Sequence, residues 1–254
     1  MGVFQNHLMA AAVDATADTG GAIDLYESDA TADTFVCEFT GTGDETGAGG
    51  GLSGDDLILT EAGTVSDASS GWRTLNNGAF TLTTAFFDNF FSGNTGNERT
   101  IALYIKNANV TPATTNGFFN WVSSNAYGGI YLQIPSGGAA EDDLRLIIQT
   151  GNAGVGVNGT TFTGGNMFGS SDAVWLVWWQ DGTYDRFGWV ADDAPSNWSD
   201  FPSGQRASAS FDGSISDSGQ GGGYGVGTNN GNTAGYFEIN RFIMSKSGTI
   251  ITND

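Results

Sequence analysis

Ala173-Val174-Trp175-Leu176-Val177-Trp178-Trp179-Gln180-Asp181-Gly182 is the stretch that decides the fold. Trp175 through Trp179 leave neither face of an extended strand polar. A strand here is therefore buried on both sides, between a sheet and loops or between a sheet and a neighbouring subunit. Asp181-Gly182 is a strong turn signal. The chain returns through Arg186-Phe187-Gly188-Trp189-Val190, and the whole segment reads as a β-hairpin.

Outward from this hairpin the same period of two recurs. Phe80, Leu82 and Thr84 alternate with Thr81 and Thr83, and Ile101, Leu103 and Ile105 alternate with Ala102, Tyr104 and Lys106. Ile130, Leu132 and Ile134 repeat the pattern, as do Leu144, Leu146 and Ile148, with the turn-forming clusters Gly128-Gly129 and Ser136-Gly137-Gly138 beside them. A last strand runs from Tyr236 to Met244. Arg241 interrupts its apolar face of Phe237, Ile239 and Ile243, which predicts a bulge or a pairing with a carboxylate at the sheet edge.

Composition agrees with an all-β chain. Forty glycines against four prolines, with 39% hydrophobic and 12% aromatic residues among 254, describe many short strands joined by turns around a substantial core. The formal charge of −20, from 28 acidic and 8 basic residues, opposes binding to nucleic acid or anionic lipid. Cys37 is the only cysteine, so neither an intrachain disulfide nor a thiolate metal cluster is available. Alternating with Phe35 and Phe39, it reads as a small buried hydrophobe. No apolar stretch approaches the length of a membrane span. The N-terminus lacks the cationic start and apolar run of a signal peptide, and Asn6 stands where myristoylation wants Ser or Thr. Assembly in a cytoplasm is the expectation, with Asn109, Asn158 and Asn197 heading sequons of no consequence there.

The first fifty residues differ from the rest. Asp14 to Gly21 and Gly41 to Gly51 are small, acidic and glycine-rich, and are expected to be extended or mobile unless another chain holds them. Only residues 34–39 read as a strand among them. The expected organisation is an attachment arm at 1–13, an acidic Gly-rich linker at 14–54 and a sandwich at 55–254.

The order of motifs carries a resemblance. A Phe-Thr-Leu strand at Phe80 to Leu82 is followed by Arg99-Thr100-Ile101-Ala102-Leu103-Tyr104-Ile105-Lys106 and by Phe119-Asn120-Trp121. After these come the Trp175 to Trp189 hairpin and a closing Gly235 to Phe242 segment. The series resembles the laminin-G/concanavalin-like jelly roll over residues 55 to 248, which implies a sandwich of two antiparallel sheets. Separately, Phe4-Gln5-Asn6-His7-Leu8-Met9-Ala10-Ala11-Ala12 resembles the "xFxNHLLAxA" opening of tailed-phage virion proteins, with Met9 for the usual Leu. That resemblance implies a virion structural protein, with Phe4, Gln5, Asn6, His7, Leu8 and Met9 docking to other capsid or tail proteins. An apolar, nearly uncharged arm followed by an acidic linker suits docking into a partner's groove; the alternative is a further strand added to the sandwich itself.

Chemistry-bearing sets are sparse. Glycoside hydrolases on this fold need facing carboxylates, commonly delivered as Glu-x-Asp-x-x-Glu, and neither strand acid, Glu38 or Glu238, has a second carboxylate two or four residues away. His7 is the only histidine and lies in the arm, which excludes Ser-His-Asp and Cys-His catalysis within the domain and a histidine-based zinc site. The glycine runs Gly151 to Gly156 and Gly219 to Gly227 lack the Lys-Ser/Thr and following helix of a phosphate loop. Asp142-Asp143, Asp181, Asp185 and Asp192-Asp193, read as loop or turn residues, are candidate calcium ligands, although no spacing matches a known calcium loop. Tyr127, Trp198 and Tyr224 sit in polar, turn-rich segments and are the candidate glycan contacts; Trp198 has the alternative of folding back over the core. The expectation is a non-enzymatic, homo-oligomeric phage virion protein on the particle surface, a head decoration, fibre or tail-spike element. The alternatives are a carbohydrate-binding module for host glycans and, behind it, a glycoside hydrolase.

Overall fold

The computed structural model describes residues 30–91, 98–108, 115–122, 128–134, 144–150, 156–157, 161–162, 173–181, 184–191, 198–201, 206–210, 223–229 and 231–246. The expected arm, with Phe4 to Met9, lies outside them, as do residues 14–29 of the expected linker, Tyr127, Asp142, Asp143, Asp192 and Asp193.

The described chain is almost all strand. It begins with β1 (Thr34–Glu38), β2 (Glu45–Thr46), β3 (Ala48–Gly49), β4 (Ile58–Val65) and β5 (Arg73–Leu82), followed by the helix α1 (Thr84–Phe91). Next come β6 (Glu98–Lys106), β7 (Asn116–Val122), β8 (Gly128–Ile134), β9 (Leu144–Thr150), β10 (Gly156–Val157) and β11 (Thr161–Phe162). The hairpin is β12 (Val174–Asp181) and β13 (Tyr184–Ala191). The last elements are β14 (Arg206–Ser210), β15 (Gly223–Val226), β16 (Thr228–Asn229), β17 (Asn232–Thr233) and β18 (Gly235–Ser245). Every alternating run read from the sequence contains a strand, the first of them only as far as Leu82, and the hairpin register holds from Val174↔Ala191 to Gln180↔Asp185.

The topology turns on β5. Its first half pairs with β18 (Arg73↔Ile239, Leu75↔Phe237) and its second with β15 (Phe80↔Val226, Leu82↔Tyr224), all antiparallel. The partner changes at Gly78, and from there the strands diverge into two layers. The front layer runs β18-β6-β12-β13-β14, with β1 beside β18, and the back layer runs β15-β7-β8-β9-β10. Three backbones meet at this corner with no room for side chains. A Cβ on Gly78 would stand 2.4 Å from the Thr64 carbonyl oxygen, and one on Gly225, whose φ is +142°, 2.2 Å from that of Phe80.

The core lies between the layers, as the alternation requires. Phe118 and Phe119 of β7 face Phe237 and Phe242 of β18, with ring centroids 5.2 and 5.8 Å apart. Ile101, Leu103 and Ile105 of β6 and Val174, Leu176 and Trp178 of β12 point into the same space and are buried.

Two expectations are corrected here. The run Phe80-Leu82-Thr84 does not continue as a strand past Leu82. The Thr83 hydroxyl accepts the Phe86 N–H at 3.1 Å and donates to Asp56 at 2.7 Å, capping α1. Phe86, Phe87 and Phe90 of this helix are fully buried, with Phe86 against Phe35 and Phe87 against Trp121. Each ring contributes about 1.5–3 kcal/mol by burial, which outweighs the modest helix propensity of Phe, Thr and Asn.

The sandwich also begins earlier than residue 55. β1 pairs with β18 from Thr34↔Ser245 to Glu38↔Arg241, with Phe35 and Cys37 buried, and β2 pairs with β4. Gly41 to Gly51 is therefore held by the domain itself. A buried cation reinforces these backbone pairings. Arg73 lies 2.5 Å from Glu45 and from Glu61, donates to the Ser66 and Gly43 carbonyls at 2.6 and 3.1 Å, and stands 5.2 Å from the Phe80 ring centroid. Its side chain has no solvent exposure, and that of Glu45 has 6%.

Removing one partner from such a cluster strands charge in the interior. Arg73→Met is expected to cost about 3–5 kcal/mol in urea denaturation, and Arg73→Met with Glu45→Leu to recover part of that loss. Equal stability of the single variant and the native chain would show that the cluster does not anchor residues 41–51.

Candidate functional site

β12 is buried on both faces, as its sequence demands. Its inward residues belong to the core, whereas Trp175, Val177 and Trp179 join Ala102 and Ile243 in a second apolar layer on the outer face of the front sheet. This layer is covered within the chain: Trp175 and Val177 have no exposure and Trp179 has 1%. At the Trp179 end part of the cover is the turn Trp198–Asp200 with Phe201.

Trp198 takes the folded-back alternative. It is half-buried, with its ring centroid 5.4 Å from that of Trp179, and the Arg206 and Arg186 guanidinium carbons stand 4.8 and 5.4 Å from it. Arg206 also donates to the Trp198 carbonyl at 2.5 Å. Tyr224 lies in β15 of the back layer, between β5 and β7, half-buried, with its ring against Gly231. The structure does not bring Trp198 and Tyr224 together: they belong to different layers.

It brings together another set at the opposite end of the outer face. The β4–β5 connection closes through reciprocal backbone bonds between Ser69 and Trp72, at 2.9 and 3.1 Å. Ser70 and Gly71 both have positive φ, 54° and 80°, the signature of a type I′ turn. Asn240 holds this turn by donating from Nδ2 to the Gly71 carbonyl at 2.7 Å. Asn240 is the extra residue of the β18 bulge, where the register against β6 shifts between Ile239 and Arg241. Arg241 thus has both features its sequence position predicted, since it also meets Glu38 at 3.2 Å, within the front layer and not at its edge.

The turn delivers Trp72 onto an aromatic row. Its ring lies 5.2 Å from Tyr104, and Tyr104 stacks on the buried Trp175 at 4.9 Å and 25°. Lys106 Nζ stands 4.3 Å from the Trp72 ring centroid and 3.3 Å from Glu238 Oε2, while Asn107 Nδ2 donates to Glu238 Oε1 at 2.6 Å. Trp72 and Tyr104 are half-buried. The result is a fixed aromatic step bordered by an ammonium, a carboxylate and two amides. Reading for loop aromatics missed Trp72, although Ser69-Ser70-Gly71 before it is a turn signal of the expected kind.

Away from the step, Glu38 pairs with Arg241, and Glu45 and Glu61 pair with Arg73. Among the described residues no group of three or more His, Cys, Asp or Glu is placed to hold a metal ion. Asp181 and Asp185, read as loop or turn residues, lie within strands, at the end of β12 and in β13 opposite Gln180, because the hairpin ladder extends to the turn. No helix among the described residues is long and apolar enough to cross a membrane.

Cys37 is buried and free. Burial pushes its thiol far above the usual range, and the charges of Glu45 and Glu38 push the same way. The native protein is accordingly expected to leave Cys37 unreacted with a thiol reagent at pH 8–9, with full reaction in denaturant. Fast labelling of the folded chain would place the thiol in contact with solvent.

Comparison with solved structures agrees with the fold. The receptor-binding domain of botulinum neurotoxin C/D mosaic serotype superimposes with a TM-score of 0.52 at 10% identity, covering 85% of this chain and 48% of that one. This chain thus spans about half the length of that domain. Weaker likenesses are to domain 4 of a GH43 extracellular arabinanase from Geobacillus stearothermophilus in complex with arabinotriose and to the LG1-3 region of the laminin alpha2 chain. The first has a TM-score of 0.46 at 14% identity and covers 74% of this chain and 79% of that one. The second has a TM-score of 0.38 at 17% identity and covers 54% and 24%. No protein-family model and no curated protein matches the chain by sequence.

Proposed function

We propose that this jelly roll of the laminin-G/concanavalin-like class is a non-catalytic recognition module of a tailed-phage virion, fixed to the particle by residues 1–13 and presenting the Trp72 end of its front sheet outward. One observation carries the reading. The chain enters the sandwich at Thr34, opposite Ser245, whereas Glu238 and Lys106 of the aromatic step lie seven residues away along β18. At ~3.3 Å per residue that is about 23 Å for Glu238 and about 13 Å for Tyr104, which registers with Arg241, so β1 begins at one end of β18 and the step lies along its middle. The step is thus clear of the point where β1 joins the sandwich.

Two further points support it. The arm, Phe4 to Ala12, has the sequence character of a virion docking segment. The botulinum domain of the same fold is a receptor-binding domain, so this sandwich serves recognition elsewhere. Homo-oligomeric display as a decoration, fibre or spike element, with a host-surface glycan as the partner, belongs to the same proposal.

Deleting residues 2–12 is expected to leave the circular dichroism and thermal unfolding of the domain unchanged while abolishing its incorporation into particles. Incorporation of the deleted chain at the native level, or absence of the full chain from purified virions, would overturn the docking role.

A further inference from the structure

We propose that Trp72 and Tyr104 form the floor of a subsite for a neutral hexopyranose, with Lys106, Glu238 and Asn107 at its border as hydrogen-bonding groups. The inference rests on the recognition reading above and names its ligand class.

The first argument is preorganisation. Trp72 is held by four separate devices: the two-residue turn with two positive φ angles, the Asn240 bond to Gly71, the ammonium over its ring, and the tilted Tyr104 ring at 5.2 Å. Ser70 and Asn107 both adopt left-handed backbone, at φ 54° and 50°, a conformation most side chains avoid. At this end the outer-face layer is covered by Tyr104, stacked on Trp175, and Trp72 lies beyond Tyr104, outside the rings packed on that layer. Fixing an aromatic plane in advance removes the entropy that a ligand would otherwise have to spend ordering it.

The second argument is chemical. A pyranose offers an apolar face of C–H groups for an aromatic plane and a rim of hydroxyls that act as donors and acceptors together. The step offers the same division. Lys106 and Glu238 supply donor and acceptor side by side at 3.3 Å, each with 23% of its side chain exposed, and Asn107 keeps Glu238 in place.

The third argument selects the charge class. Lys106 is matched by Glu238, so the step carries no excess positive charge, and the chain as a whole carries −20. An acidic glycan is repelled by the whole molecule with no local cation to compensate, whereas a neutral one is indifferent to both. The Trp198 cluster, with two guanidiniums, has the opposite character; its indole is engaged by Arg186, Arg206, Trp179 and Phe201.

Affinity electrophoresis of the full chain through gels containing mannan, dextran or galactan, with alginate as the acidic control, tests this. The native protein is expected to be retarded by at least one neutral polymer and not by alginate. Trp72→Ala and Glu238→Gln are each expected to weaken retardation about tenfold, and Trp198→Ala to leave it unchanged. Asn240→Ala, which frees the turn without touching the sugar, is expected to weaken it less than Trp72→Ala. Glu238→Gln keeps the shape of the site, so its result stands even where Trp72→Ala lowers stability. Retardation by neutral polymers that survives both Trp72→Ala and Glu238→Gln overturns the subsite and leaves the recognition role standing. Retardation by alginate alone, or by none of the polymers, overturns the neutral-sugar assignment. The docking role is decided separately by particle incorporation.

Discussion

One strand has to belong to two sheets, and the rest of the structure follows from that. β5 gives its first half to β18 and its second to β15, so the layers are joined through continuous backbone and not through a loop. A shared strand forces three backbones into contact where it changes partner, and only residues without a Cβ fit there. It also opens a wedge between the layers beyond the corner. The wedge has to be filled by large rings, which is why Phe118, Phe119, Phe237 and Phe242 meet across it and why α1 adds Phe86, Phe87 and Phe90. The corner glycines, Gly78 and Gly225 among them, and the phenylalanines between the layers are two consequences of one piece of geometry.

Charge is distributed by the same logic. With 28 acidic and 8 basic residues, self-repulsion works against compaction, and each cation matters by where it stands. Arg73 has no exposure and ties three segments to β5, so its loss strands two carboxylates. Arg241 with Glu38 joins β18 to β1, but 59% of the Glu38 side chain is in solvent, and an ion pair so exposed contributes under about 1 kcal/mol. Lys106 lies between these cases. It pairs with Glu238 and also places an ammonium over Trp72, a cation–π contact of about 0.5–1 kcal/mol.

Much of this was legible in the sequence, for a physical reason. A strand with one buried face writes its period into the chain, so the runs around Phe80, Ile101, Ile130, Leu144 and Tyr236 announced themselves, and the doubly buried β12 did so by lacking a period. The helix did not, because Thr84-Ala85-Phe86-Phe87-Asp88-Asn89-Phe90-Phe91 contains few strong helix formers and is held by tertiary burial of its rings. Gly41 to Gly51 read as unanchored because one of its anchors, Arg73, lies some thirty residues on, and a lone arginine before an apolar strand carries no mark of a buried ion cluster. The Trp72 step was illegible for a related reason. Its members come from the β4–β5 turn, β6 and the β18 bulge, and only the register of three strands brings them together.

A step of this kind sets a limit on how it can be used. Two half-buried rings and a few polar groups bury little of a ligand, and an open sheet face excludes little water, so a single contact is weak. Under the proposed recognition role, useful attachment would require many copies held at fixed spacing with their steps facing the same way, where the second contact is made at high effective concentration. Orientation is the demanding part. β1 begins opposite Ser245, whereas the step registers with Glu238 to Arg241 further along β18, so the first strand of the sandwich does not cover it. Under the proposed role, weak chemistry at the step and display in many copies would be complementary requirements.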